Sequence, residues 1–148
     1  MPFLFALDAV LHFRTSVEHQ QELRLRSCNQ QVARVRRLLE QIDTHLSLLR
    51  TERGRQLAAG AVSSELHFDL SCEGAVRKQR DELERELAHL QRLRDQQQRV
   101  FHQARRERET IESLKDRQLH QYNREAARRE QRQLDDLHLL RRSYRNHG

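Results

Sequence analysis

A chain of 148 residues is long enough for one ordinary domain, yet only 36% of it is hydrophobic and 34% is charged, with no Trp, one Pro and four Gly. A globular α/β domain of that length needs many more turn residues, so the composition excludes it and favours long helices rich in Leu, Ala, Arg, Glu and Gln. The net charge of +6 comes from 28 basic and 22 acidic residues, and only Lys78 and Lys115 are lysines, so the positive charge is nearly all guanidinium, suited to planar contacts with carboxylates or phosphates.

The first residues, Met1 to Asp8, carry no basic n-region, and Asp8 interrupts the apolar run, so they make a poor secretory signal. No segment approaches the ~18 consecutive apolar residues of a membrane span, and a cytoplasmic location is expected. Helix 1 is expected over about residues 3–53, a stretch without a helix breaker. Its core positions are Leu25, Cys28, Val32, Val35, Leu39, Ile42, Leu46 and Leu49, spaced alternately by three and four residues. This is a heptad with apolar a and d positions, which makes two helices supercoil. Toward the N-terminus the same frame meets Gln21, Glu18 and Arg14 before Leu11, Leu7 and Leu4, so a polar stretch lies between two apolar ones.

A turn is expected at about 54–63, from Gly54 past Gly60, with Ser63 or Ser64 as N-cap of the returning helix. Helix 2 is expected over about 64–145, with Gly74 as a possible kink. Its apolar positions, Phe68, Cys72, Val76, Leu83, Leu87, Leu90, Phe101, Ala104, Ile111 and Leu114, are less regular than those of helix 1. Folding at Ala59 sets Leu4 near Leu114, Leu7 near Ile111, Val35 near Leu83, Ile42 near Val76 and Leu46 near Cys72, with the register free to move by a few residues. The fold class is all-α: a long two-helix antiparallel coiled-coil hairpin, a single domain over 1–148, with a C-terminal helical overhang unpaired beyond about 117.

From Arg117 onward, eight arginines stand against Glu125, Glu130, Asp135 and Asp136, leaving +4 of the chain's charge. The same stretch carries Leu134, Leu137, Leu140 and Tyr144 at helical spacing. An apolar stripe with basic flanks and no partner inside the hairpin points to binding another protein.

Several chemistries are set aside. Cys28 and Cys72 lack CxxC spacing, and read as apolar filler in the seam. No two of the nine histidines are three or four residues apart, so no helix face presents a His pair for a metal. No glycine-rich phosphate loop is present, and a two-helix hairpin offers no concave pocket for catalysis. No cofactor and no enzymatic activity are expected. Residues 123–129, Asn-Arg-Glu-Ala-Ala-Arg-Arg, resemble the start of a basic-leucine-zipper reading helix. Glu130 and Gln131 then break the pattern and no zipper follows, so nucleic acid is not an expected partner.

Both ends of the chain resemble the FliJ family of the bacterial flagellar type III export apparatus. The resemblance lies in Phe5, Leu7-Asp8, Val10-Leu11 and Phe13-Arg14, and in Arg108-Glu109, Ile111-Glu112, Leu114-Lys115-Asp116, Tyr122, Glu125, Arg129-Glu130-Gln131 and Leu134-Asp135-Asp136-Leu137. It implies a soluble, non-enzymatic component of flagellar protein export, peripherally associated with the inner-membrane apparatus and serving motility. It further implies a stalk that binds the hexameric export ATPase at its central opening, contacts the cytoplasmic domain of the export gate and helps recycle substrate chaperones. The open end would meet the ATPase, through Phe3, Leu4, Leu7 and Leu11 together with Arg128, Arg129, Arg132, Leu134, Leu137, Leu140 and Tyr144. The turn end, with Leu66, Phe68 and Leu70, would meet the gate. The alternatives are an injectisome counterpart of the same stalk, a structural coiled coil that dimerises through the overhang, and a chaperone for disordered cargo.

Overall fold

The computed structural model describes residues 2–60 and 62–148. Its described residues form two helices and no strand: α1 over Asp8–Ala58 and α2 over Ser63–His147. The fold is an all-α helical hairpin. The chain divides into two compact units, one made of residues 1–18 with 103–148 and the other of residues 19–102. In each, a stretch of α1 lies antiparallel to a stretch of α2.

α1 starts at Asp8 rather than near residue 3. The Asp8 amide bonds the Phe5 carbonyl at 3.2 Å, and the Asp8 carboxylate sits in the first turn, where it complements the free amides of a helix N-terminus. At the other end α1 passes through Gly54 and stops at Ala58. Gly60 adopts φ +76°, a left-handed conformation that ends a helix at low cost only for glycine. The amide of Ala59 bonds the Arg55 carbonyl and that of Gly60 the Leu57 carbonyl, at 3.0 and 3.2 Å. The turn is therefore shorter than the sequence suggests. The Val62 carbonyl accepts from the Glu65 and Leu66 amides at 3.1 and 3.3 Å, placing Val62, not a serine, at the N-cap position. Gly74 lies on the exposed side of α2, and the helix continues through it without a break.

In the unit of residues 19–102, Val32, Val35, Leu39 and Leu46 are buried, Val35 completely. Gln21, Leu25, Cys28, Ile42, Leu49, Arg53 and Gln56 are half-buried in the same frame, so the heptad continues two positions past Leu49. From α2 the inward positions are Leu66, Asp69, Glu73, Val76, Arg80, Leu83, Leu87, Leu90, Arg94, Gln97 and Phe101. Their spacing is a strict alternation of three and four, and four of the eleven are charged. Cys72, expected in the seam against Leu46, is exposed, and its neighbour Glu73 is buried at 5% exposure. Near the turn the inward frame of α2 runs through Asp69, Glu73 and Val76 instead of Phe68, Cys72 and Val76, and there Asp43 pairs with Arg80 at 2.6 Å, five residues from the position 75 that a fold at Ala59 gives.

Glu73 is held by three guanidinium groups. Arg50 Nε and an Arg77 nitrogen donate to it at 3.4 and 2.7 Å, and Arg53 pairs with its second oxygen. Burial pushes its carboxyl up, but Arg53 and Arg77, with the Arg50 hydrogen bond, outweigh that and hold it below its ordinary value. Further along, Gln97 Nε2 donates to Gln21 Oε1 at 2.7 Å and to the Gln21 carbonyl at 3.2 Å.

Candidate protein-docking surface

The unit of residues 1–18 and 103–148 positions the open-end residues. Its seam is largely ionic. Arg14 pairs with Glu107 at 2.5 Å, Arg108 pairs with both Glu18 and Glu112, and Lys115 Nζ lies 3.2 Å from Asp8 Oδ1. The three carboxylates around it, Glu18 by hydrogen bond foremost, raise the pKa of Arg108 further. Ala104 is buried, and Leu11, Val17, Ile111 and Leu114 are half-buried.

Residues 2–7 are non-helical and lie along α2. Phe5 is buried, with the Lys115 ammonium 6.0 Å from its ring centroid, within reach of a cation–π contact. The Phe3 ring stands 5.6 Å from that of Tyr122, tilted by 50°. Tyr122 and Ala126 are half-buried, and the partnered part of α2 reaches residue 126 rather than 117. Residues 2–5 are not helical, so they are not held to the 1.5 Å rise per residue of a helix and reach farther along α2 than a continuation of α1 would.

The proposed ATPase-facing residues therefore separate into two groups. Phe3 and Leu11 are half-buried within the unit, while Leu4 is 85% exposed and Leu7 sits at the edge of exposure. From Ala127 to Gly148 every residue is exposed, including Leu134, Leu137, Leu140 and Tyr144, the last at 82%. Arg128, Arg129 and Arg132 are exposed as well, with Arg129 4.0 Å from Glu125. At 100° per residue, Ala126, Leu137, Leu140 and Tyr144 fall on the side of α2 that Tyr122 presents to Phe3. The apolar face covered by the N-terminal segment thus continues bare toward the end of the helix. Among the described residues, Arg128, Arg129, Arg132, Arg141, Arg142 and Arg145 outnumber Glu130, Asp135 and Asp136 there by three.

At the turn end, in the other unit, Leu66 is half-buried, while Phe68 and Leu70 are 68% and 51% exposed. Leu48, Leu57 and Val62 are also exposed in this unit. Phe68 is thus a surface residue and not part of the seam. Sequence reasoning passed over Phe5 and Tyr122 as structural anchors; the signal was an aromatic residue among leucines just before an N-terminal acidic residue. It also passed over Glu73, whose inward position only the register reveals.

The described residues contain no group of three or more His, Cys, Asp or Glu arranged to hold a metal ion. No helix among them is long and apolar enough to cross a membrane. No curated protein and no solved structure gives a significant match. A family model described as "Flagellar FliJ protein" does match, over residues 3–148, essentially the whole chain, including the ionic seam, the N-terminal segment and the bare end of α2. The chain therefore belongs to the flagellar FliJ family and is a component of the flagellar protein export apparatus.

Proposed function

We propose that the protein is a non-enzymatic stalk that binds the hexameric export ATPase and links it to the export gate and to substrate chaperones. The observation that carries this reading is the bare end of α2, where Leu134, Leu137, Leu140 and Tyr144 stand exposed among arginines. An apolar stripe supplies affinity and guanidinium groups supply orientation, so an acidic-lined opening in the ring suits it. Leu4, exposed at the same end of the chain's fold, adds a second anchor. Any hydrolysis of ATP belongs to the ring, and the protein acts by favouring one assembly of it. At the turn end, Phe68 and Leu70 with Leu66 meet the cytoplasmic domain of the gate, which holds the protein at the inner-membrane apparatus peripherally.

Removing residues 127–148 tests the reading. The cut leaves Tyr122 and Ala126 in place, so the remaining helix pair keeps its helicity by circular dichroism. Binding to the purified export ATPase, read by pull-down and by hexamer assembly at two salt concentrations, should be lost. Replacing Arg128, Arg129 and Arg132 by Glu should weaken binding and lessen its salt dependence. Full-affinity binding by a truncated chain that remains helical would overturn the assignment of this segment.

A further inference from the structure

We infer that the bare end of α2 receives an amphipathic helix of a partner protein, with the partner's apolar row on Leu137, Leu140 and Tyr144 and its carboxylates along Arg141, Arg142 and Arg145. The inference deepens the reading above, on which it rests for placing a protein at this end, by naming the form in which the partner presents its acidic groups.

The seam of this unit does not stop where the N-terminal segment does. At 100° per residue, Tyr122, Ala126, Gln133, Leu137, Leu140 and Tyr144 fall within one arc of about 60°. From Ala126 the frame runs through Glu130, Gln133, Leu137 and Leu140 to Tyr144 in alternating steps of four and three, the heptad on which a second helix packs. Phe3 occupies the face at Tyr122, and every residue from Ala127 onward is exposed. The bare face is thus the continuation of a helix-packing seam that already holds the start of the chain.

One edge of that face is basic. His138, Arg141, Arg142 and Arg145 share an adjoining arc of about 100°, and together they line a shallow concavity of about 360 Å³ that no acidic residue enters. The positions three and four residues from each of the three arginines hold no Asp or Glu. Elsewhere in this unit the arginines behave otherwise: Arg105 pairs with Glu109 at 3.1 Å, Arg108 with Glu112, and Arg129 with Glu125 at 4.0 Å. Like charges one helical turn apart oppose one another, and the helix dipole favours cations only in the last turn, which covers Arg145 alone. Carboxylates brought by a partner complete the set.

The arrangement also selects among occupants. The opposite edge of the face carries Asp136 at the level of the leucines, which a flat anionic bilayer or a nucleic acid would meet along with the arginines. A single helix seated on the seam presents acid to one edge and a different residue to the other. A second copy of this chain fits poorly. Laid antiparallel it sets arginine edge against arginine edge, and laid parallel it brings two N-terminal segments between the two helices.

Helical peptides of about three heptads test this on the full chain. One carries leucines in register with glutamates along both edges, a second has lysines in place of the glutamates, and a third keeps the glutamates with the leucines scattered. Fluorescence anisotropy of labelled peptides at two salt concentrations should show the first bound more than about tenfold tighter than either of the others. R141E/R142E/R145E should reverse the preference between glutamate and lysine edges. R128E/R132E, on the far side of the helix, should shift the affinity by less than about threefold. Circular dichroism confirms that both variants remain helical. Equal binding of the glutamate and lysine peptides overturns the inference, as does binding of the scattered peptide like the first, or an equal loss in the two variants. A chain that dimerises through Leu137 and Leu140 in sedimentation, or that binds phosphatidylglycerol vesicles as tightly as the first peptide, overturns it too. Peptide discrimination without binding of the export ATPase would sink only the earlier reading, and ATPase binding without peptide discrimination only this one.

Discussion

Gln21 and Gln97 face each other across the seam of the unit formed by residues 19–102, joined side chain to side chain at 2.7 Å, with the same Gln97 amide also reaching the Gln21 carbonyl at 3.2 Å. Polar groups at a seam position are satisfied only in one register, so the pair penalises slipped alignments more than it stabilises the correct one. Gln97→Ala should cost about 0.5–1.5 kcal/mol, whereas Gln21→Leu with Gln97→Leu should be neutral or stabilising. Chemical denaturation of the three proteins checks this; a double variant weaker than the single one would show that the pair contributes net stability.

The Glu73 carboxylate gives a pH dependence with a definite sign. Its folded pKa is lowered, so its stabilising contribution is complete above the unfolded value and is lost as pH falls through the folded one. Acidification below the ordinary carboxylate range should lower the thermal midpoint, and Glu73→Gln should show a shallower fall over the same window. The comparison of the two slopes isolates Glu73 from the other carboxylates. Identical slopes would mean that Arg50, Arg53 and Arg77 do not hold the charged form.

The seam and the surface are separable by substitution at neighbouring registers. Leu46→Ala, at a buried heptad position, should cost about 2–4 kcal/mol, and Ile42→Asp should unfold its half of the helix pair. Cys72→Ser, at an exposed position, should change stability by less than about 0.5 kcal/mol. Equal losses at Leu46 and Cys72 would return Cys72 to the seam and contradict the observed register.

The glycines should respond with opposite signs. An added Cβ meets nothing within 4 Å at Gly54 or Gly74, both inside regular helix, so Gly→Ala at each should raise stability by about 0.5–1 kcal/mol. Gly60, at φ +76°, should lose about 1–2 kcal/mol on the same change, because a side chain there crowds the following carbonyl. Urea midpoints of the three single variants measure both signs.

The seam of α1 was legible because most of its heptad positions are apolar, and burial follows that frame from Leu11 to Gln56. The seam of α2 was legible in part: Val76, Leu83, Leu87, Leu90, Phe101, Ala104, Ile111 and Leu114 do face inward, whereas Asp69, Glu73, Arg80, Arg94, Gln97 and Arg108 occupy inward positions and carry no hydrophobic signal. Searching for apolar residues alone selected Phe68 and Cys72, which are exposed, in place of Asp69 and Glu73. What the search lacked was the pairing of polar positions across the seam: Glu18 with Arg108, Gln21 with Gln97 and Arg53 with Glu73. Charge order along both helices, read jointly, carries that register. The bare stripe at the end of α2 was legible for the opposite reason, since nothing in the chain interrupts its leucines. Where it begins was not, because the non-helical conformation of residues 2–7 cannot be read from leucines at near-helical spacing.

That non-helical stretch uncouples the Phe3 ring from the repeat that sets Leu11 and the seam residues after it. A change of chain length ahead of Asp8 would move Phe3 relative to Tyr122 while leaving the pairing of α1 with α2 as it is, and would so reset how much of the end of α2 is left uncovered with no change to the helices themselves.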